Sequence, residues 1–418
     1  MPLLNRTGDR ISRFLFPALF AIFLFSDSNA WAASGTRMLG FSARDSALAG
    51  ATTASPDDTS CLVRNPAGLI RSGNRIDAVY LNIIPHDVTM ETQGPAGSIS
   101  MAGRSQESTV GYIPGADAGV SCRVPGTDKN PIAVGLGAFT MSGVALSYPS
   151  SRLNDAFTSN GVYDTTVQLM SLRIAPGIAA AFNDSFSVGA AANIAIQGLK
   201  CDLAKPNLKE TAGSGKWDFV PGAGFTLGML YKFNEMLHAG ASYESHTWMG
   251  HHYKYKDVLP CIDEPPVINV GLAFKPVKSL EITYDTRYIQ WTDVKLARLR
   301  PMDGGFGWQD QWVFAVGGEC SLFRDRLKLR AGYNYGKSPI QRHVVFANAL
   351  LGVIMEHHFT TGFSLLVTKN LSLDFTWERH FKNTKSDDGC GDIYSIDGKG
   401  TRITAAADII GAGLSYIF

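Results

Sequence analysis

The sequence predicts an all-β fold, a fourteen-stranded antiparallel transmembrane β-barrel. Long segments alternate between apolar and polar residues, and they are joined alternately by short turns and long loops, as in outer-membrane barrels. The composition agrees with this class, since only 18% of the 418 residues are charged and 43 are glycine. The net charge of +1 gives no basic excess that would suggest nucleic acid as a partner.

The N-terminus has the layout of a secretory signal peptide. Three arginines precede a short apolar run at 14–25, and a small-residue cleavage site follows at 30–32. A membrane anchor is the alternative, but the run is shorter than the roughly 20 residues needed to span a bilayer. We therefore expect residues 1–33 to be removed on export.

The alternation is clearest from Trp217 to Phe233, where the odd positions are apolar or aromatic and the even ones mostly small or polar. Soluble strands usually run about 5–6 residues, whereas a tilted strand crosses a membrane in about 9–11. The same pattern recurs at 280–288, 327–335 and 371–381. A large soluble β protein is the alternative, but its apolar faces would need a second sheet to cover them.

Turn and loop lengths complete the strand prediction. Very short turns fall at Asn183-Asp184, Asn234-Glu235, Arg324-Asp325 and Thr368-Lys369-Asn370. Longer polar loops lie at 201–216, 255–264, 297–309, 338–356 and 383–402. The predicted strands are 75–84, 107–123, 130–141, 163–182, 185–200, 217–233, 236–253, 265–276, 279–295, 310–322, 326–337, 356–367, 370–382 and 403–418. An even number of strands places both ends of the barrel on the periplasmic side.

The last predicted strand and the tryptophans fit this topology. Tyr416 and Phe418 share one face of an alternating segment, and such a terminal aromatic resembles the assembly signal of outer-membrane proteins. We therefore expect the barrel assembly machinery to be a partner. Six tryptophans near the outer strand ends are expected to form an interfacial girdle, and these are Trp217, Trp248, Trp291, Trp308, Trp312 and Trp377.

The stretch from Ala49 to Leu69 precedes the first predicted strand and shows neither helical nor strand periodicity. It is rich in small residues and turn formers, and Pro66 holds Asn65 outside the helical region. By itself the stretch could be a disordered tail or a compact plug inside a larger structure.

The same stretch resembles the N-terminal signature of the FadL family of outer-membrane transporters. The family pattern of a small-residue run, a paired Asp-Asp and an Asn-Pro-Ala corresponds to residues 49–51, 57–58 and 65–67. The resemblance continues over the rest of the mature chain, at 112–114, 134–137, 186–189, 288–291, 329–332 and 338–339.

The resemblance implies a transporter of long-chain fatty acids or similar hydrophobic molecules. It implies an N-terminal hatch inside the lumen at 34–73 and a barrel at 74–418, with lateral release through a gap at a kinked third strand. The expected partners are a hydrophobic small molecule, outer-membrane lipids and detergent. The expected location is the outer membrane, and the expected form is a monomer without cofactor or enzymatic activity.

The motif residues carried over from the family are Asp57, Asp58, Arg64, Asn65, Pro66 and Ala67. Residues 65–67 are expected inside the barrel, against its wall near the third strand. The paired acids are expected to bind backbone N–H groups or lumen arginines, and Arg64 to pair with a lumen carboxylate such as Asp374 or Glu378. A purely structural role is the alternative for all of them, because Asx-rich loops form such bonds in many folds.

Two further features are candidates for the transport route. Gly135 and Gly137 are candidates for the kink and lateral gate, because glycine weakens strand pairing and permits bulges. Their alternative role is to make room for the hatch. The loop at 344–355 is strongly apolar, and its candidate ligand-capture residues are Phe346, Leu350, Leu351 and Ile354. Packing into the barrel mouth is the alternative, since an apolar loop in water is unfavourable.

Other chemistry is sparse. The adjacent pairs His251-His252 and His357-His358 lie on predicted strand ends, where neighbours face opposite sides, so a shared metal is not expected. No nucleophile, base and orienting residue are found together. The six cysteines allow either disulfides or free thiols. The functional alternatives are a family member specialised for aromatic or aliphatic hydrocarbons, and a general outer-membrane pore or enzyme.

Overall fold

The barrel strands follow one another around a single sheet. The computed structural model describes residues 35–92, 104–127, 129–148, 165–202, 215–255 and 261–418; the predicted signal peptide and parts of the predicted loops at 201–216 and 255–264 lie outside these ranges. The strands are β1 (Arg75–Thr92), β2 (Arg104–Glu107), β3 (Ile113–Arg123), β4 (Ile132–Tyr148), β5 (Thr165–Ala181), β6 (Phe186–Asp202), β7 (Asp218–Lys232), β8 (Leu237–Glu244), β9 (Trp248–Met249), β10 (Val267–Val277), β11 (Leu280–Ile289), β12 (Gln311–Leu322), β13 (Leu327–Gly336), β14 (His357–Leu366), β15 (Leu371–Ser386) and β16 (Arg402–Ile417).

The helices are short and lie in the N-terminal segment or in the long loops. The α-helices are α1 (Ala43–Ala47), α2 (Cys61–Arg64), α3 (Leu69–Ser72), α4 (Lys295–Arg298) and α5 (Ile393–Asp397). Short 3₁₀ turns occur at Pro66–Gly68, Tyr253–Tyr255, Trp291–Asp293, Pro301–Asp303, Arg342–Val344 and Phe346–Asn348. No helix in the described ranges is long and apolar enough to cross a membrane.

The sheet closes on itself through antiparallel pairing of β1 with β16, in which Arg75 lies opposite Ile417. Fourteen strands form the circuit, because β2 and β9 are short pieces that pair only with the outer parts of β1 and β7. The predicted closed, all-β barrel of fourteen strands is confirmed. Closure leaves no free sheet edge, which is a requirement for a sheet in lipid.

Side chains alternate across the barrel wall as the sequence predicts. On β7 the outward side chains Phe225, Leu227 and Met229 are exposed, whereas the intervening Thr226 and Leu230 are buried. The buried inward positions of other strands carry polar and charged groups, which include Asp77, Arg173, Asn193, Glu244, Asn269, Glu281, Arg287, Glu319, Arg330 and His358. The outer face is therefore apolar and the lumen polar.

Several predicted strands end differently in the structure; β4 continues to Tyr148 where the prediction ended at 141, and β11 ends at Ile289 where it ended at 295. The first strand was predicted to stop at 84, but β1 continues to Thr92. Asp87 forms a bulge with φ 53°, after which pairing with β16 resumes at Thr89. The strand predicted at 236–253 breaks after Glu244, and β9 continues alongside β7.

The tryptophan girdle is only partly formed, because the loop at 290–310 folds into the barrel mouth. Trp248 and Trp312 are 59% and 54% exposed on the outer surface. Trp291 and Trp308, in contrast, are buried together with their ring centroids 4.8 Å apart. They belong to an apolar cluster, here called the mouth cluster, that also contains Val167, Leu169, Leu199, Val294, Val344, Val345, Ile354 and Ile403.

The outward face of β7 provides a test of the membrane position. We expect Leu227→Lys, in the middle of the strand, to destabilise the barrel by about 2–4 kcal/mol, because a charge there faces hydrocarbon. Phe219→Lys, at the outer end of the same face, is the matched control and should cost about 0–1 kcal/mol. Urea unfolding in lipid vesicles measures both values, and equal losses would contradict the assigned membrane level.

Candidate functional site

Residues 35–73 lie inside the barrel and are here called the internal segment. Leu62 and Leu69 are fully buried, and α1 packs against β14 and β15 on one side of the lumen. The 3₁₀ turn at Pro66–Gly68 packs against β5, β6 and β7 on another side. The segment therefore contacts the barrel wall on more than one side of the lumen.

Asn65 joins two parts of the internal segment to the wall. Its Nδ2 donates to the carbonyl oxygens of Thr53, at 2.8 Å, and of Met229 in β7, at 3.0 Å. Its Oδ1 accepts from the backbone N–H of Ala67 at 3.3 Å. Loss of the Asn65 side chain would therefore remove a hydrogen-bond partner from these backbone groups inside the barrel.

The Asn-Pro-Ala motif lies inside the barrel but away from the predicted third strand, which is β4. Gly189 in β6 and Gly228 in β7 face the motif, and a Cβ at either glycine would collide with it. Pro66 and Asn65 are the groups in the way. Because the missing side chains are on β6 and β7, the motif fits closely there, and the predicted position near β4 is wrong.

Arg64 pairs within the internal segment and not with the wall. Its Nη2 lies 3.0 Å from the carboxylate of Asp45 and donates to the carbonyl oxygen of Leu39 at 2.6 Å. Both charged side chains are fully buried, so each needs the other as a partner. The predicted pairing of Arg64 with Asp374 or Glu378 is therefore wrong.

The paired acids stabilise the segment in different ways. Asp58 accepts a backbone hydrogen bond from Ser60 N at 3.0 Å, as predicted. Asp57 lies 3.0 Å from Arg71 and 3.7 Å from Arg44, which are arginines of the segment and not of the wall. Burial would raise the pKa of Asp57, but the two guanidinium groups outweigh this effect and hold the pKa at about 2.

Two arginines that the motif does not contain attach the segment to the wall. Arg37 lies 2.6 Å from Glu244 at the end of β8. Glu244 also contacts Arg173 in β5 at 3.0 Å, and Arg173 contacts Glu264 at 2.7 Å. This buried chain of charges links the start of the segment to the outer loop before β10.

The second attachment is nearer the periplasmic end. Arg44 lies 3.0 Å from Glu319 in β12 and 3.4 Å from Glu281 in β11. Glu319 also pairs with Arg330 of β13 at 2.7 Å. In the sequence, these contacts were indicated only by an arginine within a small-residue stretch and by acidic residues at inward positions of the strands.

The backbone ladder between β3 and β4 is interrupted. Their ladder runs upward from the periplasmic end and stops at the pair Ala118 and Ala138. Pairing resumes only where Thr109 N donates to Ser147 O at 2.8 Å. All residues between these two pairs are described, and no backbone–backbone hydrogen bond joins the two strands there. The gap is here called the wall opening.

Side chains replace the missing ladder at the lower edge of the wall opening. The carboxylate of Asp117 accepts from the backbone N–H of Thr140 at 2.6 Å. The hydroxyl of Thr140 in turn lies 3.3 Å from the N–H of Ala116 and 3.2 Å from its carbonyl oxygen. The backbone groups of this edge are therefore satisfied without strand pairing.

The predicted kink at Gly135 and Gly137 is misplaced. Both glycines lie in the regularly paired part of the β3–β4 ladder, and the register shift of β4 occurs at Met141. A Cβ at Gly135 would lie 2.7 Å from the side chain of Leu69. The geometry at Gly135 thus matches the alternative role, which is to make room for the internal segment.

The internal segment covers the wall opening from inside. Met38 N donates to Met141 O at 3.0 Å, and Arg37 forms a β-bridge with Ser142. The side chains of Met38, Phe139 and Met141 belong to one buried apolar cluster. The segment therefore supplies both a backbone partner and an apolar cover for β4 at this level.

The apolar loop at 344–355 packs into the barrel mouth. Phe346 and Ile354 are buried, and Leu350 and Leu351 are half-buried against the mouth cluster. The backbone N–H of Phe346 also donates to Asp387 at 2.9 Å. This arrangement fits the packing alternative for the loop.

A small cavity lies beneath this loop. Its volume is about 50 Å³, and its apolar lining includes Phe306, Trp291, Trp308 and Leu351. Arg37 also lines the cavity, and its Nη1 is buried without a hydrogen-bond partner among the described residues. The cavity thus combines aromatic walls with one free cationic donor.

The remaining candidate residues lie at the ends of strands or in the lumen. Tyr416 and Phe418 are about half exposed on the outer face at the end of β16, with ring centroids 6.4 Å apart. Their role in assembly remains a prediction. In the described ranges no three His, Cys, Asp or Glu residues are placed to hold a metal, and none of the six cysteines forms a disulfide.

Comparison with known proteins identifies the family. Residues 24–418 match the family described as "Outer membrane protein transport protein (OMPP1/FadL/TodX)". The chain belongs to the FadL/TodX family. It is an outer-membrane transport protein, and the family is one of transport channels, not of enzymes.

Solved structures of FadL/TodX proteins share the fold at low sequence identity. The Pseudomonas putida toluene transporter TodX is 16% identical over 91% of this chain and 99% of its own, with a TM-score of 0.67. A Pseudomonas aeruginosa FadL homologue is 15% identical over 92% of this chain and 100% of its own, also at 0.67. The Ralstonia pickettii toluene transporter TbuX is 16% identical over 91% and 99%, at 0.63. No curated protein sequence matches significantly.

Glu356 gives the mouth loop a pH dependence. It accepts from Ser338 N at 2.9 Å and lies 3.1 Å from Lys385. Burial raises the pKa of Glu356 to about 7, and these two partners offset the effect only in part. The pKa of Glu356 is raised in the folded state only, so protonated Glu356 stabilises the fold. This stabilisation is complete below about pH 4.5 and is lost as pH rises through 7. After correction for the intrinsic, base-catalysed rates, we expect faster hydrogen exchange of residues 338–356 at pH 8 than at pH 5.

Glu356→Gln is the matched variant for this prediction. It keeps the shape of the side chain but does not titrate, so the difference in exchange between pH 5 and pH 8, corrected for intrinsic rates, should vanish. A persistent difference in the variant would assign the pH dependence to another group.

Proposed function

We propose that this FadL/TodX-family protein takes up hydrophobic molecules passively and releases them sideways through the wall opening between β3 and β4. The interruption of the β3–β4 ladder is the observation that carries the proposal, because a complete ladder would close this route. An apolar molecule gains about 0.8 kcal/mol for each CH₂ group kept out of water. Lateral release delivers such a molecule to lipid without exposing it to water.

The internal segment acts as the hatch in this proposal. It covers the wall opening through Met38 and contacts the cavity through Arg37. The cavity of about 50 Å³ is much smaller than the roughly 150 Å³ cavity that accepts benzene in an engineered protein. A ligand therefore has to displace part of the segment or the loop above it, which makes passage ligand-gated.

The outer loop at 344–355 supplies the entry surface. Leu350 and Leu351 remain half-buried against the mouth cluster, with Leu351 at the cavity, while Ile354 anchors the loop to that cluster and Phe346 is buried against Gly398. We infer that the two leucines meet the incoming ligand first and that the two buried residues hold the loop in place. The ligand-capture role is thereby assigned to a loop that packs against the mouth cluster.

A fatty acid is the favoured substrate because of Arg37. Its Nη1 is buried at an apolar cavity and lacks a partner, which is unfavourable unless a bound group accepts its hydrogen bonds. A carboxylate at the head of an apolar chain meets both requirements. Glu244 already occupies Nη2, so the added carboxylate would contact the free side of the guanidinium.

A neutral aromatic hydrocarbon is the second candidate. Trp291, Trp308 and Phe306 line the cavity, and flat aromatic surfaces favour aromatic ligands. Two of the similar structures, TodX and TbuX, are described as toluene transporters. In this case Arg37 would serve only to hold the internal segment.

A bulky side chain at Gly143 tests lateral release. This glycine faces Ile83 and Ile113 across the wall opening, and a Cβ there would lie 3.6 Å and 4.0 Å from them. We expect Gly143→Phe to fill the opening and to lower uptake of labelled palmitate or toluene by cells at least about tenfold. Ligand binding to the purified protein should be retained.

Leu136→Phe is the matched control for this experiment. Leu136 lies opposite Val120 in the paired part of the β3–β4 ladder, outside the wall opening, and its side chain is exposed, so its variant should transport normally. Normal uptake by a folded Gly143→Phe protein would remove the support for a lateral exit.

The substrate alternatives are separated by Arg37→Met. If the cavity binds a carboxylate, loss of a charge-assisted hydrogen bond of about 1.5–3 kcal/mol should weaken palmitate binding roughly 10- to 150-fold. Toluene binding should change less than about twofold by the same argument. Calorimetry on the purified protein measures both ligands, and Arg300→Met on an exposed loop is the control. Equal effects on the two ligands would leave the hydrocarbon as the better-supported substrate.

A further inference from the structure

Three neighbouring turns on the short-turn rim of the barrel are strongly basic. Lys278 lies between β10 and β11, Arg324 and Arg326 between β12 and β13, and Lys369 between β14 and β15. All four side chains are exposed, and none forms an ion pair with any described residue. The three turns also carry one acidic side chain, that of Asp325. This group of four is here called the basic rim.

The opposite half of the same rim has a different charge. The turn between β5 and β6 carries Asp184, and the turn between β7 and β8 carries Glu235. Glu235 pairs with Lys232, which neutralises that turn. These two turns therefore carry no excess of positive charge, whereas the third turn of this half, between β3 and β4, carries one exposed lysine, Lys129.

The central turn of the basic rim has a backbone that its residues do not favour. Phe323, Arg324 and Asp325 have φ values of 52°, 58° and 65°, in the left-handed region. Hairpin turns of this kind favour Asn and Gly, and other turns of this rim use Asn183 and Asn234. Phe and Arg at these positions indicate that their side chains serve a purpose other than turn formation.

The basic rim lies at the border of the apolar band. Leu365, Val367, Leu329 and Val277 are exposed outward next to these turns, at the ends of the strands that they join. Phe323 is 74% exposed beyond them. An aromatic ring at this border and long basic side chains around it suit the boundary between hydrocarbon and headgroups.

We propose that the basic rim binds the headgroup phosphate of an anionic phospholipid in the periplasmic leaflet, with Phe323 against the upper part of the acyl chains. Short turns face the periplasm in outer-membrane barrels, so the phospholipid phosphates lie at this level. Four unpaired cations with one acid complement a negatively charged headgroup. An acidic periplasmic protein would use the charge but would leave Phe323 and the adjoining apolar side chains without a role.

This inference is independent of the transport proposal and rests only on the position of the barrel in the outer membrane. The experiment uses the full-length protein in detergent micelles containing equal amounts of phosphatidylglycerol and phosphatidylethanolamine. Native mass spectrometry then compares retention of the two lipids. We expect the protein to retain phosphatidylglycerol about fivefold or more over phosphatidylethanolamine.

Substitution of the four basic residues tests the location of the site. The variant carries Lys278→Gln, Arg324→Gln, Arg326→Gln and Lys369→Gln, and its lipid preference should fall to about one. The matched control replaces four exposed basic residues on the outer loops, which are Lys295, Arg298, Arg342 and Lys399, by glutamine. The control should keep the preference of the unsubstituted protein.

The aromatic residue is tested separately. Phe323→Asn suits the left-handed backbone and keeps all four cations, so it should fold normally but retain less phosphatidylglycerol than the unsubstituted protein. Equal retention of the two lipids by the unsubstituted protein would overturn the proposal. An unchanged lipid preference in the fourfold variant would also overturn it. A third contrary result is that the four cations are needed to bind an acidic protein while the protein shows no lipid preference.

Discussion

Every backbone N–H and C=O group that faces lipid must find a partner within the protein, and this constraint governs the whole structure. Thirteen of the fourteen strand contacts meet it with long ladders, including the one between β1 and β16. The contact between β3 and β4 meets it only in part, and side chains of Asp117 and Thr140 satisfy the lower edge. Where a ladder is absent, backbone groups need such local partners, because water is not available in the bilayer.

The internal segment follows from the same closure. A ring of fourteen strands encloses more space than inward side chains can fill, so something else must occupy the lumen. Arg37 and Arg44 fix that occupant at two levels through Glu244 and Glu319. Buried ion pairs add little net stability, but loss of one partner leaves an uncompensated charge. They therefore favour one position of the segment strongly over displaced ones.

The number of barrel strands and the alternation of their side chains could be predicted from the sequence, but the contacts inside the barrel could not. The alternation of apolar and polar residues correctly predicted the outward face of β7, because the pleat of a strand imposes a period of two residues. The partners of Arg64 could not be inferred, since the fold of the internal segment places Asp45 beside it. The position of the Asn-Pro-Ala motif also depended on glycines 120 or more residues away, at Gly189 and Gly228.

The wall opening illustrates a second limit of prediction. Gly135 and Gly137 were reasonable candidates for a kink, but what decides the interruption is the combination of side-chain partners at Asp117 and Thr140 with the bulge at Met141. Such substitutes for a ladder have no periodic signature in sequence.

The contact between Thr109 and Ser147 has a mechanical consequence. Because β3 and β4 are joined again above the gap, the two strands cannot separate progressively from one end as a zipper would. The aperture has a closed frame whose perimeter is set by covalent chain and hydrogen bonds on all sides. If molecules leave by this route, as proposed, such a frame should discriminate by the width of a molecule and not by its length, so that an unbranched chain threads through it end-on while a branched one of equal mass is held back.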